Sequence, residues 1–320
     1  MKLSFIDLYA GIGGMRLGFE SACKDLDLQY KCVFSSEWDK WCQETYKDNF
    51  NETPHGDISK IVENNINIIP KHNVLMAGFP CQPFSNAGLK KGFNDTRGTA
   101  FHDIRRIIEA KQPKAFILEN VKGLRSHDKG RTLNIILEVL RDDLSYFVPD
   151  PKILNSKDFG LPQNRQRIFI IGFLKKNNFT FPEPLKFKTR VSDILNPGRT
   201  PNKYFISQKL WDSHRARKIK NQTAKPKKGF GYKSVIPSDE YTSTLSARYY
   251  KDGAEILIKR KGEPDDIPPR KLTPDESRQL QGFPDGFILN KSDIQAYKQF
   301  GNAVSVLVIR EISKSIIQYI

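Results

Sequence analysis

The chain reads as an α/β protein built on a doubly wound, mainly parallel sheet, with a second, smaller basic domain. Three observations predict this. Short apolar runs bounded by Gly, Pro, Asn or Asp recur at Leu3 to Leu8, Lys31 to Ser35, Val74 to Ala77, Ala115 to Leu118 and Arg167 to Gly172, as buried strands do. Helical patterns at Met15 to Cys23, Lys40 to Asn49, Phe101 to Ala110 and Thr132 to Asp143 fall between them, and such alternation specifies a parallel sheet with helices on its faces. After Lys175-Lys176-Asn177-Asn178 the alternation fades into a stretch rich in Lys, Pro and short β-type segments such as Glu255 to Ile258.

The expected domains are residues 1–185 plus 292–320 for the sheet and 186–291 for the second domain. With 320 residues, 38% of them hydrophobic, the chain is long enough for both without staples. Thr273 is placed as an N-cap, with Pro274 at the first helical position and Glu276 closing a capping box. A last helix, Val304 to Tyr319, packs back on the sheet domain.

The net charge of +16 attracts polyanions, nucleic acid ahead of a membrane surface. It is concentrated between Lys186 and Lys233, where fourteen Lys and Arg face only Asp193 and Asp212. Tyr204, Phe205, Trp211, Phe230 and Tyr232 interleave with these charges, favouring a folded phosphate-facing surface over a solvated linker. The four cysteines show neither C-x-x-C spacing nor an accompanying His cluster, which argues against a metal site and against disulfides. No signal peptide and no membrane-spanning run is visible, so a cytoplasmic location is expected.

In doubly wound folds ligands bind beyond the carboxyl ends of the strands. Tyr9-Ala10-Gly11, Glu37, Asp57, Gly78-Phe79-Pro80-Cys81 and Glu119 all fall there. Gly11, Gly13 and Gly14 let backbone approach a cofactor, but their spacing is not the G-x-G-x-x-G of dinucleotide folds, which lowers a dehydrogenase reading. Glu37 follows the second strand, where a carboxylate can take both hydroxyls of a ribose, and Trp38 can stack on an adenine. Cys81 follows Pro80 at a strand end, a position unlike the buried, inert setting expected for Cys23, Cys32 and Cys42. Its thiol, at about 8.5 when free, needs a positive or hydrogen-bonding environment to act as a nucleophile near neutral pH.

Five segments, Phe5 to Gly14, Gly78 to Ser85, Leu118 to Val121, Gln163 to Arg167 and Gln299 to Val304, together resemble the DNA cytosine methyltransferases that methylate carbon 5, of bacterial restriction–modification type. The resemblance extends almost end to end. It implies a Rossmann-like, S-adenosylmethionine-dependent methyltransferase domain with the cofactor surrounded by Tyr9, Ala10, Gly11, Gly13, Gly14, Glu37, Trp38, Asp57, Ile58, Pro80 and Asn302. It implies Cys81 as the nucleophile that adds to cytosine carbon 6 and Glu119 as the acid at ring nitrogen 3. In the Q-x-R-x-R motif it places Arg165 beside the extruded base and its Glu, while Arg167 holds the loop. Gln82, Ser85 and Arg167 are expected to touch DNA, and Thr244, Ser246 and Arg248 to read bases. The segment from Thr244 to Ile258 is similar to recognition regions that read sites beginning CC and ending GG. Gln279 stands where the family frequently has Arg, and Ser277-Arg278 where it has Cys-Ala, which implies a local difference in helix packing or DNA positioning.

The expected partner is double-stranded DNA, bound by a monomer that works alongside a restriction endonuclease without a stable complex. The alternatives are the same chemistry on tRNA and a catalytically inactive DNA-binding protein. A cysteine hydrolase is disfavoured because His55, His72, His102, His127 and His214 form no recognisable base pattern.

Overall fold

The computed structural model describes residues 2–80, 99–186, 188–224, 229, 231–260 and 262–320. They form two compact units. The first comprises Met1–Asn155, Gln166–Glu183 and Val306–Ile320, and the second Ser156–Arg165 and Pro184–Ser305.

The first unit is organised on a six-stranded sheet. Its strands are β1 (Lys2–Leu8), β2 (Gln29–Ser36), β3 (Val74–Gly78), β4 (Ala115–Val121), β5 (Lys152–Asn155) and β6 (Gln166–Phe173), in the order β2-β1-β3-β4-β6-β5. All five sequence-expected strands are present, each a residue or more longer than its apolar run. The β2-β1-β3-β4 pairings are parallel, whereas β6 runs antiparallel to β4 and β5 antiparallel to β6. The sheet is therefore mixed but mainly parallel, as expected: three of its five pairings are parallel, and β6 is the strand that runs against the other five. An apolar run does not encode direction, and β5 is too short and too half-buried to stand out as one.

Helices cover both faces, as a doubly wound fold requires. On one face α3 (Ile58–Asn65), α4 (Ala100–Lys111) and α5 (Arg131–Glu138) bury Ile58, Val62, Ile104, Ile107, Ile108, Leu133 and Ile136 against Ile6, Leu8, Leu75 and Leu118. On the other, α1 (Gly14–Asp25) sets Phe19 against Phe5, ring centroids 4.8 Å apart. The C-terminal helix, Val306–Ile317, closes on α1 so tightly that a Cβ at Gly18 would run into Ile309. α2 (Lys40–Phe50) contributes Tyr46 and Phe50, which stack under the Arg16 guanidinium.

The second unit is folded around the expected aromatics. α6 (Gln208–Thr223) is a helix that no apolar periodicity announced: Trp211 and His214 are its buried side chains, and most of its remaining surface is polar and basic, with Ile219 exposed among the charges. Trp211 packs with Ile206 and Leu257, donates its indole N–H to the Asp265 carbonyl at 2.8 Å, and meets the Tyr232 ring edge-on. The interleaved aromatics thus serve largely as anchors beneath the charge. Phe230 lies outside the described residues. The two-residue strand β7 (Ser234–Val235), the short helix α7 (Tyr249–Asp252), the two-residue strand β8 (Leu257–Ile258) and the helices α8 (Pro274–Leu280) and α9 (Asp293–Asn302) complete the unit.

The capping box at α8 forms as the sequence specifies. The Glu276 amide donates to Thr273 Oγ1 and the Thr273 amide to Glu276 Oε2, at 3.1 and 2.8 Å. Glu276 is also clamped by Arg270 through two hydrogen bonds of 2.7 and 2.9 Å. The departing residue Gln279 donates to Asn196 Oδ1 and Asp275 Oδ2, at 2.6 and 3.1 Å.

Candidate active site

The carboxyl ends of the four parallel strands form one edge of the sheet, and the chemistry-bearing residues of the first unit collect along it. β1 ends at Leu8; Tyr9 after it is in the left-handed region, and Gly11 and Gly13 follow at φ of 54° and 83°. Gly13 has a second constraint: a Cβ there would collide with the Phe50 ring, so the turn into α1 admits no side chain.

Glu37 ties this turn to β2. Its Oε2 accepts the Gly11 amide and its Oε1 the Asp39 amide, both at 2.8 Å, while its own amide donates to the His55 carbonyl. Burial pushes its carboxyl above the usual range, against the pull of those two amides. A carboxylate offers about four lone-pair sites, so acceptor capacity remains for a hydroxyl donor such as that of a ribose. Beside it the Trp38 indole is 73% exposed and able to stack on a flat ring.

Asp57 caps α3 through the Ser59 amide and Ile58 is buried beneath it. Ser59 Oγ donates to Asp103 Oδ2 at 2.6 Å and Tyr9 donates its hydroxyl to the Ala100 carbonyl, linking α3, α4 and the β1 end. Under the turn, Asp7 is wholly buried and desolvation pushes its carboxyl up to about 8 despite the nearby Arg16. The sequence marks Asp7 only as an interruption of an apolar run.

Glu119 sits near the end of β4, in register with Gly78 of β3. Next to it, Asn120 donates its side-chain amide to the Phe79 carbonyl at 2.9 Å and accepts the Val121 amide. Asn120 thereby fixes the Phe79-Pro80 segment that leads to Cys81. Cys81, Gln82 and Ser85 lie outside the described residues. Of the other thiols, Cys23 and Cys32 are buried and pushed up to about 12 by desolvation, as inert core sulfurs should be.

The two arginines of the Q-x-R-x-R motif exchange the places expected for them. Because β6 is antiparallel, its first residues arrive at the same edge as the ends of β1 to β4, with Arg167 opposite Val121. Its Nε lies 3.0 Å from Glu119 Oε1, in a pair whose side chains are 17% and 10% exposed. Arg165 belongs to the second unit and is buried there, donating to the Leu245, Gly301 and Ala303 carbonyls at 2.8 to 3.0 Å. A guanidinium committed to three backbone acceptors is a structural clamp, so the expectation that Arg165 flanks Glu119 is corrected to Arg167. In a parallel β6, Arg167 would have emerged at the opposite edge.

Within the second unit, residues 242–247 run alongside 162–165. Gln163 Oε1 accepts the Leu245 amide, and Thr244 Oγ1 donates to the Asn164 carbonyl at 2.7 Å. Gly301 permits the approach, since a Cβ would strike the Ser246 backbone. Of the three expected base readers, Thr244 is thus engaged with backbone, Ser246 donates to Glu255 Oε1 at 2.6 Å, and Arg248 is exposed with Asp252 at 3.9 Å. Asn302 is exposed at the end of α9, in this second unit.

A glycine turn, a hydroxyl-accepting carboxylate and a strand-end Glu–Arg pair on an α/β sheet define a group-transfer enzyme with a nucleoside-type site. Comparison with known proteins makes this specific. Residues 3–318 match the model of the C-5 cytosine-specific DNA methylase family. The chain is 55% identical over 321 residues to the type II methyltransferase M.SsoII of Shigella sonnei, covering 99% of this chain and 80% of that protein. It is 53% identical to M.NlaX of Neisseria lactamica, covering 97% and 94%. Among solved structures, the Dnmt2 methyltransferase of S. pombe superposes with a TM-score of 0.78 at 19% identity, over 99% of both chains, which supports the fold. The chain belongs to the C-5 cytosine-specific DNA methylase family. It is a sequence-specific DNA cytosine-5 methyltransferase that groups with the bacterial type II modification enzymes.

Proposed function

We propose that the enzyme extrudes a cytosine from double-stranded DNA, adds the Cys81 thiolate to carbon 6 and methylates carbon 5. The observation that carries this reading is the Glu119–Arg167 pair at the strand ends beside the Phe79-Pro80 segment.

Cytosine carbon 5 is a poor nucleophile, and thiolate addition at carbon 6 makes it an enamine carbon able to attack an electrophilic methyl group. Addition places negative charge on the ring, which the Arg167 guanidinium offsets. Glu119, in its protonated form, gives its proton to ring nitrogen 3 as charge develops there and is left as the carboxylate beside Arg167. Loss of the carbon 5 proton to a base then expels the Cys81 sulfur and restores the ring.

S-adenosylmethionine, when bound, supplies the methyl group on a positively charged sulfur. Gly11, Gly13 and Gly14 would admit it to the β1 turn, Glu37 would take its ribose hydroxyls and Trp38 would stack on its adenine, with Tyr9, Ala10, Asp57, Ile58 and Pro80 as the other residues of this unit that would hold it. Substitution of Glu37 by alanine removes those hydroxyl contacts, each worth roughly 1.5 kcal/mol or more to a charged acceptor. The expected result is a rise of at least about 10-fold in KM for S-adenosylmethionine with a smaller change in kcat, read from initial rates at saturating DNA.

The second unit serves as the target-recognition domain, its basic surface gripping phosphates and the 244–248 segment supplying base contacts. The enzyme acts as a monomer in the cytoplasm and protects host DNA against a cognate endonuclease, at a site of the CC-N-GG type. Bisulfite sequencing of DNA from cells expressing the chain tests substrate, position and site together. Protected cytosines at one recurring short motif are expected, and uniform conversion of every cytosine would refute the reading.

A further inference from the structure

The turn that follows the Glu119 strand carries an arrangement that the methyl-transfer chemistry does not use. Between β4 and α5, Asp128, Lys129 and Gly130 stand consecutively in the left-handed region, at φ of 49°, 56° and 88°. Asp128 and Lys129 are the one adjacent pair of non-glycine residues at positive φ among the described residues. The Cβ of a lysine disfavours that conformation, and strain of this sort persists where the surroundings over-determine it, often at binding sites. Here His127 Nδ1 lies 2.6 Å from Thr132 Oγ1, and Arg131 donates to Asp128 Oδ2 at 2.7 Å, bracketing the turn.

The segment around that turn presents a basic face. Lys122, Arg125, Lys129 and Arg131 are all exposed between residues 122 and 131, with Asp128 as the single acid. Lys122 is engaged with Gln166 and Arg131 with Asp128, whereas Arg125 and Lys129 have no ion-pair partner among the described residues. Asp128, Lys129, Arg131 and Asn134 line a shallow cavity of about 330 Å³. The face also begins where the chemistry ends. Arg125 follows Glu119 by six residues, at most about 20 Å of extended chain. A duplex carries one negative charge per about 1.7 Å of its axis, so that span covers on the order of a dozen phosphates.

We propose that Arg125 and Lys129 dock on the phosphate backbone flanking the extruded cytosine, giving the first unit its own DNA-binding surface beside the reacting base. The inference rests on the DNA-methyltransferase reading and adds a contact surface to it. Each phosphate neutralised contributes about 0.9 to the slope of log affinity against log salt concentration.

The test is the salt dependence of binding to a duplex containing the target site, with R125A/K129N as the variant. Asparagine tolerates the left-handed backbone, so Lys129→Asn removes the charge and keeps the turn. The slope is expected to fall by about 1.8 and KM for DNA to rise, with kcat at saturating DNA within about twofold of wild type. R125A alone, outside the strained turn, should lose about 0.9, and K129R should retain the full slope. K175A/K176A removes two exposed lysines elsewhere on the same unit and should leave the slope unchanged. An unchanged slope in R125A/K129N and R125A, while wild-type protein binds and methylates DNA, overturns this inference alone. An equal fall in K175A/K176A also overturns it, since the effect would then be one of overall charge. Wild-type protein with no duplex affinity overturns the broader reading together with this one.

Discussion

Replacing Cys81 with alanine is expected to abolish methyl transfer, by a factor of about 10⁴ or more, the scale seen when a covalent nucleophile is removed. The size of the effect follows from the substrate. Without sulfur at carbon 6 the ring stays aromatic, and its carbon 5 has no electron density to offer a methyl group, however well the remaining residues hold the base and the donor. Serine in place of Cys81 should do little better, because a hydroxyl is far less ionised than a thiol near neutral pH and no adjacent histidine base accompanies it in the sequence. Duplex binding should survive, since the affinity comes from phosphate contacts that the sulfur does not make. Two measurements check this: tritium incorporation from labelled S-adenosylmethionine, and covalent capture on a duplex carrying 5-fluorocytosine, whose carbon 5 cannot release fluorine as it would a proton. Wild type should form the adduct in the presence of cofactor and Cys81→Ala should not. Turnover by the alanine variant at a wild-type rate would remove covalent addition from the mechanism.

Most of the sheet domain was legible because five of its six strands, all but β5, are short apolar runs closed by a breaker. The Thr273-Pro274-Glu276 cap was equally plain, being local chemistry within four residues. Direction was not. Ile168 to Phe173 is as apolar as a parallel strand, and only its pairing with β4 shows that it runs the other way. That single fact decides which arginine reaches Glu119, so the exchange of Arg165 and Arg167 is the same omission seen at the site. Helix α6 was hidden for a different reason: with two buried side chains it has almost no apolar periodicity, and its basic character masks a helix held by Trp211 alone among its large side chains. Asn120 was named as part of a motif, but its hydrogen bond to the Phe79 carbonyl spans 41 residues and leaves no local trace.

The two arginines should separate stability from catalysis. Arg167→Ala is expected to lower kcat by about 10²- to 10³-fold, the range found when one preorganised charge or donor at a reacting centre is lost. The fold should be nearly unaffected, because the pair it breaks lies at a partly open strand end. Lysine at this position keeps the charge and should recover part of the rate, though not the planar donor geometry of Arg. Arg165→Ala should have the opposite profile. It strands the carbonyls of Leu245, Gly301 and Ala303 without their guanidinium donor, at roughly 1 to 3 kcal/mol for each buried acceptor, so a loss of about 3 kcal/mol or more is expected. Lysine cannot reach three divergent acceptors and should rescue little. The distinguishing readouts are urea midpoints followed by fluorescence and kcat measured on the folded fraction well below each midpoint. A stable Arg165→Ala enzyme with a kcat 10²-fold down, beside an Arg167→Ala enzyme at full rate, would return the first arginine to the base and leave the antiparallel strand with no part in catalysis.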